Sequence, residues 1–526
     1  MTQQTSDDPS VTQPHPRRWA ILAVLCLSLL VLGIDNLIVQ VALPTIQSEL
    51  GASATDLQWI VNAYILTLAG LLGLSGGLVD RFGHRRALMA GYLIFVLASV
   101  GASLSDSPAE LIAYRAVMGA GGTLIMPATL ALIRDVFDER ERPQAIGIWA
   151  AMAALGIPLG PVVGGVLLEH YDWGSIFLVN VPIVALALIG CWVLVPEGRA
   201  VTAPRLDPAG LALSVGALVA LVWAIIEAPE RGYTDTAVVT AFVLSLVLMA
   251  AFWQAEKRAA EPLLPPDLAR TRAFSAPFIM VTIFAFGLFG AVFVLTQYFQ
   301  FAMGYEPLPA GVRLLGIATI ALSAPLGALL DQRIGPRWPV TAGMLIVAAG
   351  LATGALADTS TEALGVFSLV ILGMGMGLIM APCAVAILAT VPEGKGGVGS
   401  AAAETALQLG GALGVAVLGS VLSAGYGAKI DDVTGDLPAS AAAAVEDSIG
   451  GAYGVASQLG GEQAARLIEA ARDAFMNGHE LALLTAAGVS LLGALLAAWL
   501  LRGRQVAATA VMPQQQGQQP QPTTKR

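Results

Sequence analysis

Three ionisable residues stand inside stretches too apolar to hydrate them: Asp35 in GIDNLIVQVALPTI, Arg115 in LIAYRAVMGAGG and Glu404 in GSAAAETALQLGGALGVAVLG. A charge in such surroundings is costly unless it is neutralised or paired. A carboxyl that holds a proton in one state and yields it in another can trade that proton for a cationic ligand. A guanidinium at mid-bilayer costs roughly 2.5–3.5 kcal/mol on insertion scales, so Arg115 must face a polar interior and take a partner. From there it can tune how firmly a nearby carboxyl holds its proton. Gln408 lies one turn from Glu404 and shares its face. Asn36, Asn62, Gln297 and Gln300 are further polar positions suited to lining a cavity. For each acid a purely structural alternative stays open. Asp35 could serve only to pair with Arg115 or Asn62, and Glu404 could sit near the cytoplasmic end in water.

The elements that must position these groups are membrane helices. The chain has 526 residues, 56% hydrophobic and 12% charged, against about 25% charged in soluble domains. About 20 apolar residues cross a bilayer core. Fourteen spans follow, at about 19–43, 57–79, 87–105, 109–133, 143–168, 175–195, 208–228, 236–254, 273–300, 309–331, 338–357, 363–391, 398–424 and 480–501. Trp19, Trp59, Trp173, Trp192, Trp223, Trp253, Trp338 and Trp499 fall near the ends of these runs, where an indole prefers to sit; Trp149 does not. With both termini inside, 21 of the 27 Lys and Arg lie on the cytoplasmic side, five lie outside and Arg115 lies within a span. That asymmetry favours an even number of crossings.

The expected organisation is a cytoplasmic segment 1–18, a six-helix bundle 19–195, two inserted spans in 196–272, a second six-helix bundle 273–505 and a disordered tail 506–526. The second bundle contains an outer insert at 425–479, where eight acids against three bases give a charge of −5. Residues from about 440 to 474 are expected to be helical, with Glu462 and Arg466 at supportive i,i+4 spacing. A net charge of −10 argues against nucleic acid as a partner. Cys26, Cys191 and Cys383 fall in separate apolar runs, and four scattered histidines offer no metal-ligand spacing. No cofactor is expected, no G-x4-GK[ST] loop is present to bind ATP, and no residue cluster at a membrane face suggests an enzyme.

Two motifs concern motion rather than chemistry. The loop after span two reads GGLVDRFGHRRAL and contains Asp80, Arg81, Gly83 and Arg85. Asp80 at a helix end can engage a neighbouring helix N-terminus or an arginine and latch two helices in one conformation. A looser copy, GALLDQRIGPR, follows span ten around Asp331. Span five reads GIWAAMAALGIPLGPVVGG, with Gly147, Gly156, Gly160, Gly164 and Gly165 free of side chains and Pro158 and Pro161 breaking the helical ladder. Such a helix can approach a neighbour closely and bend there.

These motifs resemble those of the major facilitator superfamily. GGLVDRFGHRRAL is similar to its loop signature G-x-L-a-D-r-x-G-r-k-x-x-l, and the order G-x8-G-x3-GP-x2-GG resembles the fifth-helix antiporter signature of its drug exporters. DNLIVQVALP resembles the first-helix signature D-x-T-I-V-N-V-A-L-P of the fourteen-span drug:proton antiporters, with Leu37 and Gln40 at the Thr and Asn positions. Arg115 resembles the fourth-helix arginine, with Met118 at the position of the usual glutamine. The resemblance implies an all-α major facilitator fold of two six-helix bundles plus two extra spans. It also implies a monomer in the plasma membrane that exports lipophilic, cationic small molecules in exchange for protons. Asp35, Glu404 and Arg115 would then handle proton and cargo, and the glycine seam would act as hinge. Export of an endogenous metabolite or self-made antibiotic is an alternative, as is a ligand-binding membrane sensor.

Overall fold

The computed structural model describes residues 15–138, 140–198, 207–259, 266–390, 396–430, 434 and 437–501. Seventeen helices carry the argument. They are α1 (Arg18–Leu50), α2 (Ala54–Phe82), α3 (His84–Ser103), α4 (Pro108–Val136), α5 (Arg142–His170) and α6 (Asn180–Leu194), then α7 (Pro208–Arg231) and α8 (Thr236–Glu256). Next come α9 (Arg272–Gln297), α10 (Pro307–Leu314), α11 (Ile320–Ile334), α12 (Arg337–Ala355), α13 (Glu362–Thr390) and α14 (Gly396–Ile430). The last are α15 (Ala439–Asp447), α16 (Ile449–Leu459) and α17 (Gly461–Leu500). Among the described residues thirteen helices are long and apolar enough to cross a membrane. The bent pair Gln144–Ala153 and Pro158–His170 within α5 makes fourteen when taken as one span. The protein is therefore an all-helical, multi-pass membrane protein, as the apolar runs predict.

Local sequence sets the helix ends. Ser53 and Asp56 form a capping box at the start of α2, and Ser107 accepts from the Glu110 amide where Pro108 opens α4. Gly83 (φ +99°) and Gly335 (φ +79°) close α2 and α11, each donating its amide to the carbonyl four residues back. The two related loops thus turn alike. Trp149, the tryptophan away from the predicted interfaces, is buried and donates to Thr129 at 3.0 Å.

In the first half α1 packs along α5, and α2 and α3 both pack on α4. In the second half α9 packs along α14, α12 along α13 and α17, and α11 along α13. The α7–α8 pair lies beside α2 and α14, tied on by the Ser420 hydroxyl donating to the Ile225 carbonyl at 2.7 Å. Leu246 and Val247 on α8 are exposed, as suits a helix that faces lipid.

The last helix differs from expectation. It runs unbroken from Gly461, well before the predicted span at 480–501, so the upper part of the expected insert is continuous with the span. Leu467, Ala471, Ala474, Phe475 and Gly478 form a buried stripe at helical spacing that the surrounding charges mask.

Several contacts bridge the halves, all at the ends remote from Arg18 and Leu500. Gln300, in the π-helical turn Tyr298–Ala302 after α9, donates to the Val41 carbonyl at 2.8 Å. Gly165 of α5 lies against Leu308 of α10, and Pro161 against Gly311. On the same side α15 and α16 lie over the seam. Gln47 donates to Ser448 at 2.8 Å, the Ala54 amide donates to Asp447 at 3.1 Å, and the Tyr453 hydroxyl donates to the Phe301 carbonyl at 2.8 Å.

Candidate functional site

Five helices of the first half converge on Asp35. The carboxylate is fully buried on α1 and lies 2.6 Å from the Arg115 guanidinium of α4, itself 1% exposed. Arg115 also donates Nε to the Ile60 carbonyl at 3.2 Å and lies over the Tyr64 ring, 4.3 Å from its centre. Asn180 of α6 donates to the second Asp35 oxygen at 3.3 Å and to the Ser99 hydroxyl of α3 at 3.3 Å. Gly119, one turn beyond Arg115, makes the convergence possible: a Cβ there would lie 2.6 Å from the Tyr64 carbonyl oxygen. The cluster is a neutralised ion pair held by further hydrogen bonds, the arrangement in which buried charges are tolerated.

Sequence reasoning offered Arg115 or Asn62 as partners for Asp35. Arg115 takes that role, and Asn62 does not. Asn180, Ser99 and Tyr64 were missed. The signal for Asn180 is a lone amide in the otherwise apolar run FLVNVPI.

Glu404 sits on α14 in the other half. It is half-buried, and another α14 side chain, Gln408, donates to it at 2.7 Å. No Lys, Arg or His pairs with it among the described residues. Among the described residues, polar atoms of Gln40, Asn62, Tyr64, Thr296 and Gln408 are buried without a hydrogen-bond partner. Each such atom costs about 1–3 kcal/mol unless something else satisfies it. Asn36 and Gln297 turn back to carbonyls of their own helices, Leu32 and Phe293, while Gln300 crosses to α1.

The glycines of α5 divide by role. Cβ atoms at Gly156, Gly160 and Gly164 would lie 2.7–2.9 Å from Gly33, Ile34 and Ile38 on α1, so these three set a tight α1–α5 seam. Gly165 meets α10 across the halves, and nothing lies near Gly147. Helix α5 bends by 40° between Ala153 and Pro158, where Pro158 removes a ladder hydrogen bond.

At the opposite end, the loop after α2 folds on itself. Asp80 faces His84, Arg85 donates to the Trp192 carbonyl at 2.7 Å, and Arg81 is exposed. Among the described residues no three His, Cys, Asp or Glu side chains are grouped to hold a metal ion, and the three cysteines are free and buried.

Comparison with known proteins places this arrangement. Residues 25–415 match the family model for the Major Facilitator Superfamily. The chain is 34% identical to the tetracenomycin C resistance and export protein of Streptomyces glaucescens, over 94% of this chain and 95% of that one. It is 38% identical to the multidrug efflux pump LfrA of Mycolicibacterium smegmatis, over 89% and 94%. Among solved structures, the fold matches a bacterial homolog of the human lysosomal transporter Spinster, with a TM-score of 0.64 at 16% identity, covering 93% of this chain and 99% of that one. The chain belongs to the Major Facilitator Superfamily of membrane transporters.

Proposed function

We propose that this protein is a proton-coupled antiporter that exports lipophilic, cationic small molecules across the cell membrane by alternating access. Both termini are cytoplasmic in this reading. Arg17, Arg18, Arg81, Arg85, Arg86, Arg134 and Arg142 lie at helix ends on the side of the bundle where α1 begins and α17 ends, which supports that orientation. The bridged end is then the outer face, and the arrangement described is inward-facing. The names of the two relatives, one a resistance and export protein and one a multidrug efflux pump, support export of small molecules.

The observation that carries the reading is the contrast between the two intramembrane acids. Asp35 is paired with Arg115, whereas Glu404, among the described residues, is hydrogen-bonded to an amide and to no cation. Of the two, the acid without a cation is the one from which an arriving positive charge displaces a proton. Cargo enters from the cytoplasm or inner leaflet and takes the place of that proton, charge for charge. The amides of Gln40, Asn62 and Gln408 offer it hydrogen bonds. The halves rock against each other, the outer bridges part, and cargo leaves. A proton from outside then restores Glu404, and the halves return. Asp35 and Arg115 act as a fixed pair that holds α1 to α4 through this motion. The inward proton gradient drives the cycle, and one chain contains the whole pathway, so a monomer suffices.

The test is proton release on ligand binding. Tetraphenylphosphonium added to the purified protein in weakly buffered detergent should acidify the medium, and Glu404→Gln should abolish the signal. Release that survives in Glu404→Gln would remove Glu404 from the exchange.

A second reading of the cargo is an endogenous metabolite or self-made antibiotic; the tetracenomycin C relative is named as a resistance and export protein. Release by neutral metabolites and not by organic cations would select it.

A further inference from the structure

His84 occupies a position that the mechanism above does not use. It opens α3 directly after the Gly83 turn, and its side chain is 6% exposed. Its Nδ1 lies 2.5 Å from the Asp135 carboxylate at the end of α4, and its Nε2 lies 3.3 Å from the Asp80 carboxylate at the end of α2. A carboxylate only accepts hydrogen bonds, and a neutral imidazole has one N–H to donate. The two contacts are therefore satisfied together by an imidazolium. The His84 backbone amide donates to the Gly198 carbonyl at 2.9 Å, so the ring is anchored to the segment that follows α6.

The other charged groups nearby come from each element packed around the ring. Arg81 of α2 and Arg134 of α4 are exposed. On α3, Arg85 is engaged by the Trp192 carbonyl, and Arg86 lies 3.5 Å from Glu197 of the segment after α6. Glu197 also packs against Gly83. None of these cations lies between the two carboxylates that His84 joins.

We propose that His84 is a proton-operated positioning residue for the transport cycle. As imidazolium it clips Asp80 to Asp135 within the first half. On losing its proton it releases Asp80, which then becomes free to engage the second half as the cytoplasmic side closes. The clip accompanies the inward-facing arrangement, so it holds the protein there at acidic cytoplasmic pH and lets go as pH rises. An arginine would hold the two carboxylates at every pH, whereas histidine makes the hold conditional. This proposal rests on the alternating-access reading.

The experiment measures the spin-label distance between Arg140→Cys, in the loop before α5, and Leu388→Cys, at the end of α13, in lipid nanodiscs from pH 6 to pH 8.5. The wild-type background should lose inward-facing population as pH rises, by about fivefold, the scale of a partly exposed ion pair. His84→Arg should stay inward-facing throughout, and His84→Gln should behave at every pH as the wild type does at high pH. Should His84→Gln fail to fold, histidine NMR of the wild type, assigned by the peak absent in His84→Arg, reads the same proton. Loss of that proton should follow the distance change. A distance that responds to tetraphenylphosphonium but not to pH, or an identical pH response in His84→Arg, overturns the role of His84 alone. A distance that responds to neither overturns alternating access as well.

Discussion

The two halves of this transporter treat a buried acid in opposite ways. In the first half, Asp35 meets a guanidinium, an amide and a tyrosine face from helices packed through glycine contacts. In the second, Glu404 is hydrogen-bonded, among the described residues, to Gln408 on its own helix. Among the described residues one acid is paired with a cation and the other is not. In the antiporter proposed above, that difference assigns the exchanged proton to Glu404.

The largest effect should come from breaking the complete site. Arg115→Ala leaves Asp35 buried with Asn180 alone, and losing one partner of a buried ion pair costs about 3–5 kcal/mol. Thermal unfolding in detergent should show this as a large drop in Tm or a failure to accumulate in the membrane. Asp35→Asn should also destabilise, because the buried Arg115 charge would keep only neutral acceptors, the new amide oxygen and the Ile60 carbonyl. Little change in Tm for either variant would erase the contrast between the halves.

Glu404→Gln sharpens the same contrast from the other side. The amide keeps the contact with Gln408, so Tm should move little. Proton release driven by cation binding should nevertheless fall at least about tenfold, equivalent to about 1.4 kcal/mol. A variant that unfolds instead would make Glu404 structural.

Next in size is the tight α1–α5 seam within the first half. A Cβ at Gly160 would lie 2.7 Å from the Ile34 carbonyl oxygen, so Gly160→Leu must push α5 off α1. Overpacking of this kind costs about 1–3 kcal/mol. Transport should fall to background while tetraphenylphosphonium still binds, as read by equilibrium dialysis. Gly147→Leu, with nothing near its Cβ position, should transport normally.

The smallest effect concerns the cover of the outer end. Burial pushes the Asp447 carboxyl up from its ordinary value, the Ala54 amide and Ser448 oppose this, and Glu230 and Asp56 add to it. A carboxyl that holds its proton more firmly when docked favours docking in acid. That contribution is full below the ordinary aspartate value of about 3.9 and is lost as pH rises through the raised one. Protection of α15 and α16 against hydrogen exchange, taken relative to the intrinsic rate at each pH, should therefore fall modestly from pH 4.5 toward pH 7.5, and Asp447→Asn should flatten the change.

Much of this architecture is legible in the sequence because lipid imposes it. Spans of about 20 apolar residues, basic turns and a glycine-rich fifth helix are written locally, and the helices fall where those runs lie. The final helix departs from expectation because its buried stripe, from Leu467 to Phe475, is interleaved with charges that read as an exposed insert. At the site, the sequence points to Asp35, Arg115 and Glu404 as unusual, since each is a charge in an apolar run. It does not reveal which of them meet. Asn180 is 145 residues from Asp35, and Gln300 is 259 from Val41. Pairings that distant depend on how helices pack, which no local pattern encodes. His84 hides for a different reason: it stands among the basic residues of the loop, and only the two carboxylates facing its ring set it apart.

The central claim is exchange of cargo for protons, and reconstituted vesicles test it most directly. Purified protein in liposomes with an imposed pH gradient should move a fluorescent organic cation against its concentration, and a protonophore should stop it. Glu404→Gln vesicles should show no gradient-driven movement. Movement of the cation at an unchanged rate after the gradient is collapsed would contradict the account.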